Sequence, residues 1–233
     1  MSVLEFSERL DRIHEQISQA AYRSGRTVDE ITLIGVSKRK PLEDMQTAFD
    51  AGLRHFGENR AQEVRDKFPA WSPAGITRHF IGHLQSNKVK YLPGRVDIIH
   101  TIDSQKIADA VNTKFAAHDQ VIPILVEVNI SGEAAKEGVQ PTAALDLAAY
   151  CADQSNLDFQ GLMTIGPLTS DISKIRQAFR EMKLISDLIE RQVGVQAGRA
   201  KLSMGMSGDF EIAIEEGATH IRVGTAIFGA RDY

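Results

Sequence analysis

The chain has 233 residues, a charged fraction of 25 %, a hydrophobic fraction of 42 % and a net charge of −4. That balance is ordinary for a soluble globular protein and argues against a general electrostatic grip on nucleic acid or an anionic membrane. A single cysteine, Cys151, excludes an internal disulfide and a cysteine-rich zinc site.

The first segment reads as a helix. Phe6, Leu10, Ile13, Ile17 and Ala21 recur at three- and four-residue spacing and share one face, with a stop expected near Gly25. Its start carries acids where a signal peptide needs bases, and no apolar stretch approaches the roughly 20 residues of a membrane span. A cytoplasmic protein is expected.

After Gly25 the pattern repeats. Eight short runs rich in Val, Ile and Phe alternate with amphipathic stretches: Thr32–Ser37, Arg54–Gly57, Arg78–Ile81, Val96–His100, Ile122–Val128, Asp158–Met163, Lys201–Met204 and His220–Val223. Val121-Ile-Pro-Ile-Leu-Val-Glu-Val128 has little polar alternation, as in a parallel strand buried on both faces. Pro141 suits the first turn of a helix running to Asp153, and Cys151 falls on the buried face of that helix. Ile175, Phe179, Met182, Ile185 and Ile189 form a second apolar stripe. Eight strand–helix units predict a (β/α)₈ TIM barrel with an extra N-terminal helix, one domain over 1–233. A doubly wound open sheet is the alternative, although the glycine-rich dinucleotide turn is absent after the first strand.

In such a barrel the C-terminal ends of the strands face the active site. Those ends present Lys38, Glu58, Asn59, His83, Asp103, Asn129, Thr164, Ser203, Ser207, Arg222, Gly224 and Thr225. Glycine-bearing turns after strands seven and eight suit a phosphate, with Ser203, Ser207, Gly224 and Thr225 as its ligands. Ser207 also reads as a helix N-cap, and Gly224 as a plain tight turn. Lys38 opposite a phosphate site can form a Schiff base with an aldehyde phosphate, its amine freed by desolvation and by Arg39 or Lys40; a lysine snorkelling to solvent is the competing reading. Lys136, after strand five, is either a second amine at the mouth or a solvated loop lysine. Arg222 cannot give up its proton, so against a pyridine nitrogen it would donate and leave that nitrogen neutral; an ion pair is its alternative. Glu58 reads as an acid–base group or as the partner of an arginine. His79 and His83 have helical metal-ligand spacing, but on a strand and loop they do not converge, and no carboxylate pair or cysteine supports zinc.

Several blocks together resemble the pyridoxal phosphate homeostasis proteins (the YggS type) over nearly the whole length. They are Val36-Ser-Lys-Arg-Lys-Pro41, His55-Phe-Gly-Glu-Asn59, His79-Phe-Ile-Gly-His-Leu-Gln-Ser-Asn-Lys88, Thr101-Ile-Asp103, Val128-Asn-Ile130, Gly161-Leu-Met-Thr-Ile165, Ser203-Met-Gly-Met-Ser207 and Ile221-Arg-Val-Gly-Thr-Ala-Ile-Phe-Gly229. The resemblance implies a barrel like the N-terminal domain of alanine racemase, with pyridoxal 5′-phosphate (PLP) joined to Lys38. It implies Arg222 at the pyridine nitrogen, Asn59 near the ring, and Ser203, Gly224 and Thr225 on the phosphate. A racemase needs two bases, one on each face of the carbanion. Tyr22, Tyr91 and Tyr150 read as helix residues away from the mouth, and Tyr233 ends the chain without a further domain. The expectation is therefore a PLP carrier or buffer, with no catalytic residue and no metal, monomeric, and with apo PLP-dependent enzymes as candidate recipients. A PLP-dependent racemase, or a Schiff-base aldolase without cofactor, is the alternative.

Overall fold

The computed structural model describes residues 2–133, 136–194 and 200–229. Eight strands, β1 (Thr32–Val36), β2 (His55–Glu58), β3 (Thr77–Phe80), β4 (Ile98–Ile102), β5 (Ile122–Glu127), β6 (Leu157–Met163), β7 (Lys201–Ser203) and β8 (His220–Val223), pair in parallel in sequence order. β8 closes onto β1 through Thr32–His220, Leu33–Ile221, Ile34–Arg222 and Gly35–Val223. The eight-stranded barrel is thus the observed architecture, and the open doubly wound sheet is not.

Each expected strand is present, most with ends moved by a residue. β4 is displaced furthest, starting at Ile98 rather than Val96. Asp97 is instead committed to β3: its carboxylate accepts the Arg78 backbone N–H at 2.7 Å and the Arg78 guanidinium at 2.7 and 3.0 Å.

The helices are α1 (Val3–Arg23), α2 (Leu42–Asp50), α3 (Ala61–Lys67), α4 (Gln105–Ala116), α5 (Ala144–Ala152), α6 (Ile172–Val193), α7 (Phe210–Glu215) and α8 (Thr225–Phe228). In α1, Ser2 caps the first turn reciprocally with Glu5, and the expected stripe is buried. The stop falls where expected, with Gly25 in the left-handed region (φ 69°). Pro141 opens a 3-10 turn that runs into α5, so that helix begins as anticipated. α1 packs on α2, α7 and α8. Phe6 meets Phe228 edge-on, with ring centroids 5.6 Å apart, and Arg9 donates to the Ile227 carbonyl. Each fully buried side chain of this size contributes about 1.5–3 kcal/mol, so α1 anchors the short helix that follows Gly224. Among the described residues no helix is long and apolar enough to cross a membrane.

Side chains alternate across each strand. Leu33, Phe56, Phe80, Ile99, Ile124, Val126, Leu162, Leu202, Ile221 and Val223 belong to the main apolar core beneath the helices. The alternate residues face the barrel interior. There Ile98, Leu125 and Met163 form a separate small cluster, and His79, His100, Glu127, Ser203, His220 and Arg222 are all buried. Apolar residues usually fill a barrel of this size. Here one part of the interior is apolar and another is polar.

Candidate functional site

The C-terminal mouth of the barrel opens into a cleft of about 360 Å³ whose walls include Lys38, Asn59, His83, Glu127, Lys136, Met206 and Arg222. Its size falls in the range of small-molecule sites.

Lys38 continues the inward register of Ile34 and Val36 from β1. The chain turns immediately after it: the Lys40 N–H donates to the Ser37 carbonyl, and Arg39, third in the turn, has φ 60°. Glycine is usual at such a position. Arg39 is held there because its N–H donates to Glu63 Oε2 at 2.7 Å. Lys67 Nζ completes the clamp, donating to Glu63, to Glu58 Oε1 and to the Ser37 carbonyl at 2.7–3.0 Å. Glu58, on the outer face of β2, also accepts from Ser37 Oγ at 2.7 Å. Burial, opposed by Lys67, raises its carboxyl to about 7. The sequence favoured an arginine partner for Glu58. The partner is Lys67, one α-helical layer outside the barrel, and Glu58 supports the Lys38 turn from behind instead of lining the cleft.

Asn59 faces the cleft, and its buried Oδ1 has no hydrogen-bond partner. Gly82 passes beside it: a Cβ there would lie 2.0 Å from the Asn59 carbonyl oxygen, so only glycine lets the chain after β3 approach so closely.

Arg222 forms the opposite floor. Its Nη1 donates to Ser203 Oγ at 2.7 Å and its Nη2 to the Thr164 carbonyl at 2.8 Å. Burial lowers its pKa to about 10, so it stays protonated at neutral pH. It is held by neutral acceptors, not by the ion pair that was its alternative. Ser203 consequently sits below the cleft. Its hydroxyl is fully buried between Arg222 and His100, which separates it from the phosphate role the sequence gave it and makes it a support for Arg222. Gly224 and Thr225 lie at the rim, where Gly224 precedes α8. A Cβ on Gly224 would meet Val36 at 3.4 Å, an ordinary contact, and its φ of −109° suits any residue. Neither packing nor backbone requires glycine there. Ser207 is exposed and caps nothing: α7 begins at Phe210 after Asp209.

Sequence reasoning missed Glu127, because it took Asn129 as the functional end of β5. Asn129 does line the cleft, but its Nδ2 is committed to its own loop, donating to the carbonyls of Glu133 and Lys136. Glu127, in register with Leu125 on the inner face, is 4 % exposed, and its Oε2 has no partner. Burial raises its carboxyl to about 7. Strand alternation counted back from Leu125 was the signal available. Lys136 also lines the cleft and is not a solvated loop lysine: its Nζ donates to Glu133 Oε1 and to the Gly166 carbonyl. His79 and His83 part company, as the strand reading implied. His79 is inside the barrel. His83, 43 % exposed on its side chain, stands at the rim with Nδ1 3.4 Å from Asp103 Oδ2 and 3.5 Å from Glu137 Oε2. A carboxylate pair therefore does flank His83, brought there from loops distant in sequence; no ion is needed to account for these contacts. Of the described tyrosines, Tyr22 is exposed, Tyr91 stacks with surface cations, and Tyr150 donates to Asp109; none lines the cleft. Tyr233 lies outside the described residues.

The fold and the cleft have clear relatives. Residues 9–232 match the family model for the alanine racemase N-terminal domain. The pyridoxal phosphate homeostasis protein of Aquifex aeolicus is 42 % identical over 226 residues, covering 97 % of this chain and 98 % of that protein. The Escherichia coli K12 protein of the same name is 40 % identical over 233 residues, covering 98 % of each. Among solved structures, PipY of Synechococcus elongatus with PLP bound superposes with a TM-score of 0.82 at 30 % identity, covering 96 % of this chain and all of that one. An alanine racemase from Clostridium difficile shares the fold alone, with a TM-score of 0.72 at 12 % identity, and this chain spans 57 % of it. The chain belongs to the pyridoxal phosphate homeostasis protein family, built on the barrel of the alanine racemase N-terminal domain.

Proposed function

We propose that this protein binds PLP in the cleft and serves intracellular PLP homeostasis as a buffer or carrier in the cytoplasm. The observation that carries the reading is the pairing, across one cleft, of Lys38 with a buried Arg222 held in place by its two bonds below. The residues fit the cofactor. Asn59 Oδ1 and Glu127 Oε2 are buried polar atoms awaiting partners, and neither packing nor backbone conformation demands the glycine at 224.

PLP supplies an aldehyde and an electron-withdrawing pyridine ring. Lys38 Nζ would be the amine that holds the aldehyde carbon, with water as the group that leaves; hydrolysis would return the free aldehyde, and an incoming amine would carry it off as its own imine. The Glu63–Lys67 clamp fixes the turn that aims Lys38. Arg222 donates to the ring nitrogen and keeps it unprotonated, which weakens the electron sink that amino-acid chemistry requires. Asn59 lies beside the ring. Gly224 and Thr225 hold the phosphate, the N–H groups of Thr225 and Ala226 having no intrahelical acceptor at the start of α8. Ser203 contributes through Arg222.

A carrier is favoured over a racemase because none of the described tyrosines lines the cleft to act as a second base. Apo PLP-dependent enzymes are the proposed recipients, and the protein is proposed to act as a monomer. The test is a visible absorption spectrum with and without added PLP, followed by borohydride reduction and peptide mapping. A yellow species fixed on Lys38 is expected. A colourless protein, or label spread over surface lysines, sinks the proposal. Exchange of the Cα hydrogen of added amino acids at enzymatic rates would replace the carrier with the racemase.

A further inference from the structure

Part of the polar side of the barrel interior is a continuous chain of hydrogen bonds. Arg222 Nη1 lies 2.7 Å from Ser203 Oγ, and Ser203 Oγ lies 3.0 Å from His100 Nδ1. His100 Nε2 lies 2.9 Å from His79 Nδ1, and His79 Nε2 lies 3.1 Å from His55 Nδ1. These residues come from β8, β7, β4, β3 and β2. His79, His100, Ser203 and Arg222 are buried, whereas His55 is half-buried and borders a second depression at the opposite end of the barrel.

The direction of the chain follows from its first member. Arginine has donors and no acceptor, so Ser203 Oγ accepts from Arg222. The Ser203 proton then has His100 Nδ1 as its acceptor. A neutral imidazole with an accepting Nδ1 carries its proton on Nε2, so His100 donates to His79 Nδ1. The same step makes His79 donate from Nε2 to His55 Nδ1. Reversing the direction would leave the Ser203 proton without an acceptor among these partners. The surrounding charge agrees. Lys201 and His220 flank the imidazoles from β7 and β8, and Arg222 stands above them. Burial first, then the neighbouring histidines and Lys201, with Arg222 also acting on His100, hold His79 and His100 neutral. A metal site is not the explanation, since the ring nitrogens face one another in pairs. Among the described residues, the ligand-type atoms that converge belong to His83, Asp103 and Glu137 at the rim.

We infer that His55, His79, His100 and Ser203 form a one-directional hydrogen-bond relay that positions Arg222 against the cofactor ring, with all three imidazoles neutral and protonated on Nε2. The last step rests on the PLP reading above; the relay itself does not. The histidines are positioning residues, acting on the ligand only through Arg222. Fixing Ser203 as an acceptor locks one edge of the guanidinium and leaves the other to the ring nitrogen. The arrangement also accounts for buried histidines in a part of the barrel that apolar side chains would otherwise fill.

The experiment has two arms. In the first, the wild-type protein labelled with ¹⁵N-histidine, without added PLP, is studied by long-range ¹H–¹⁵N correlation at pH 7. The expected pattern is the Nε2–H tautomer for His55, His79 and His100; an Nδ1–H tautomer or an imidazolium at any of them overturns the relay. In the second, PLP affinity and the visible band of the loaded protein are measured for wild type, His100→Leu and His100→Gln. Glutamine can accept the Ser203 proton through Oε1 and donate to His79 through Nε2. Leucine is expected to weaken PLP binding about tenfold and shift the band, with glutamine staying within about twofold of wild type. Unchanged affinity and band in the leucine variant overturns the positioning of Arg222. If leucine prevents folding, the glutamine variant carries this arm: its failure to restore both readouts overturns the positioning role. If wild-type protein takes up no PLP, the functional reading and the cofactor-facing step fall together, and the tautomers alone decide the relay.

Discussion

Replacing Glu127 with glutamine should stabilise the PLP-free protein at pH 8 and leave it nearly unchanged at pH 4.5. The Glu127 carboxyl sits on the cleft floor, 4 % exposed, with Oε2 unpartnered. Burial raises its pKa from 4.5 to about 7; Arg222 pulls it down, while Asp103 and Glu137 push it further up. The folded state therefore binds more protons than the unfolded state between those values. Glu127's contribution to stability is complete below the unfolded value and is lost as pH rises through the folded one. The gap of about 2.5 pH units, at roughly 1.36 kcal/mol per unit, amounts to about 3 kcal/mol. Glutamine has nearly the same shape and no charge to bury. The stability difference between variant and wild type should thus grow by about 3 kcal/mol from pH 4.5 to pH 8, rising between the two pKa values and levelling off above about 7. Glu58, also raised to about 7, is present in both proteins and cancels. Urea unfolding at half-unit pH intervals, with equal m-values as the check on a common unfolded state, measures the difference. A pH-independent difference, or a glutamine variant less stable at pH 8, would refute a neutral buried carboxyl at this position.

Two further outcomes separate ligand space from packing. Gly224→Ala should leave the urea midpoint almost unchanged, because its Cβ meets only Val36 at 3.4 Å. It should weaken PLP binding at least about tenfold if the phosphate approaches this backbone; equal losses of stability and binding would instead make Gly224 a structural glycine. His220 supplies the acid limb of the stability profile. Burial, then Lys201, His55 and Arg222, hold it down to about 3, so the unfolded chain takes up a proton near pH 6.5 that the folded chain refuses. Its contribution is present above pH 6.5 and is lost as pH falls toward 3, about 2 kcal/mol of it by pH 5. His220→Asn should remove that slope relative to wild type, and parallel unfolding profiles for the two proteins would show His220 to be charged in the fold.

The alternation of apolar runs and amphipathic stretches was enough to give eight parallel strand–helix units, but the crossover hand is the same in an open sheet, and it is the pairing of β8 with β1 that closes the barrel. The same pattern put Lys38, Asn59 and Arg222 at one mouth, since strand ends are legible wherever strands are. The positions of polar groups inside the barrel were not legible. Ser203 looked like a phosphate ligand because it ends a strand, and only the inward register of β7 against β8 places its hydroxyl under Arg222. Glu127 was hidden in the most apolar run of the chain, where a single acid reads as an edge residue until a barrel closes around it. The clamp behind Lys38 joins Ser37, Glu58, Glu63 and Lys67, of which only Glu63 and Lys67 share a helical i,i+4 spacing; Ser37 and Glu58 come from two neighbouring strand ends that only the packed fold brings to them. His55, His79 and His100 occupy three separate strands and show no common motif. Sequence fixes which face of each strand they occupy, but the distances of about 3 Å that make them one chain depend on strand tilt and stagger around the closed barrel, and those are set by the packing of all eight units together.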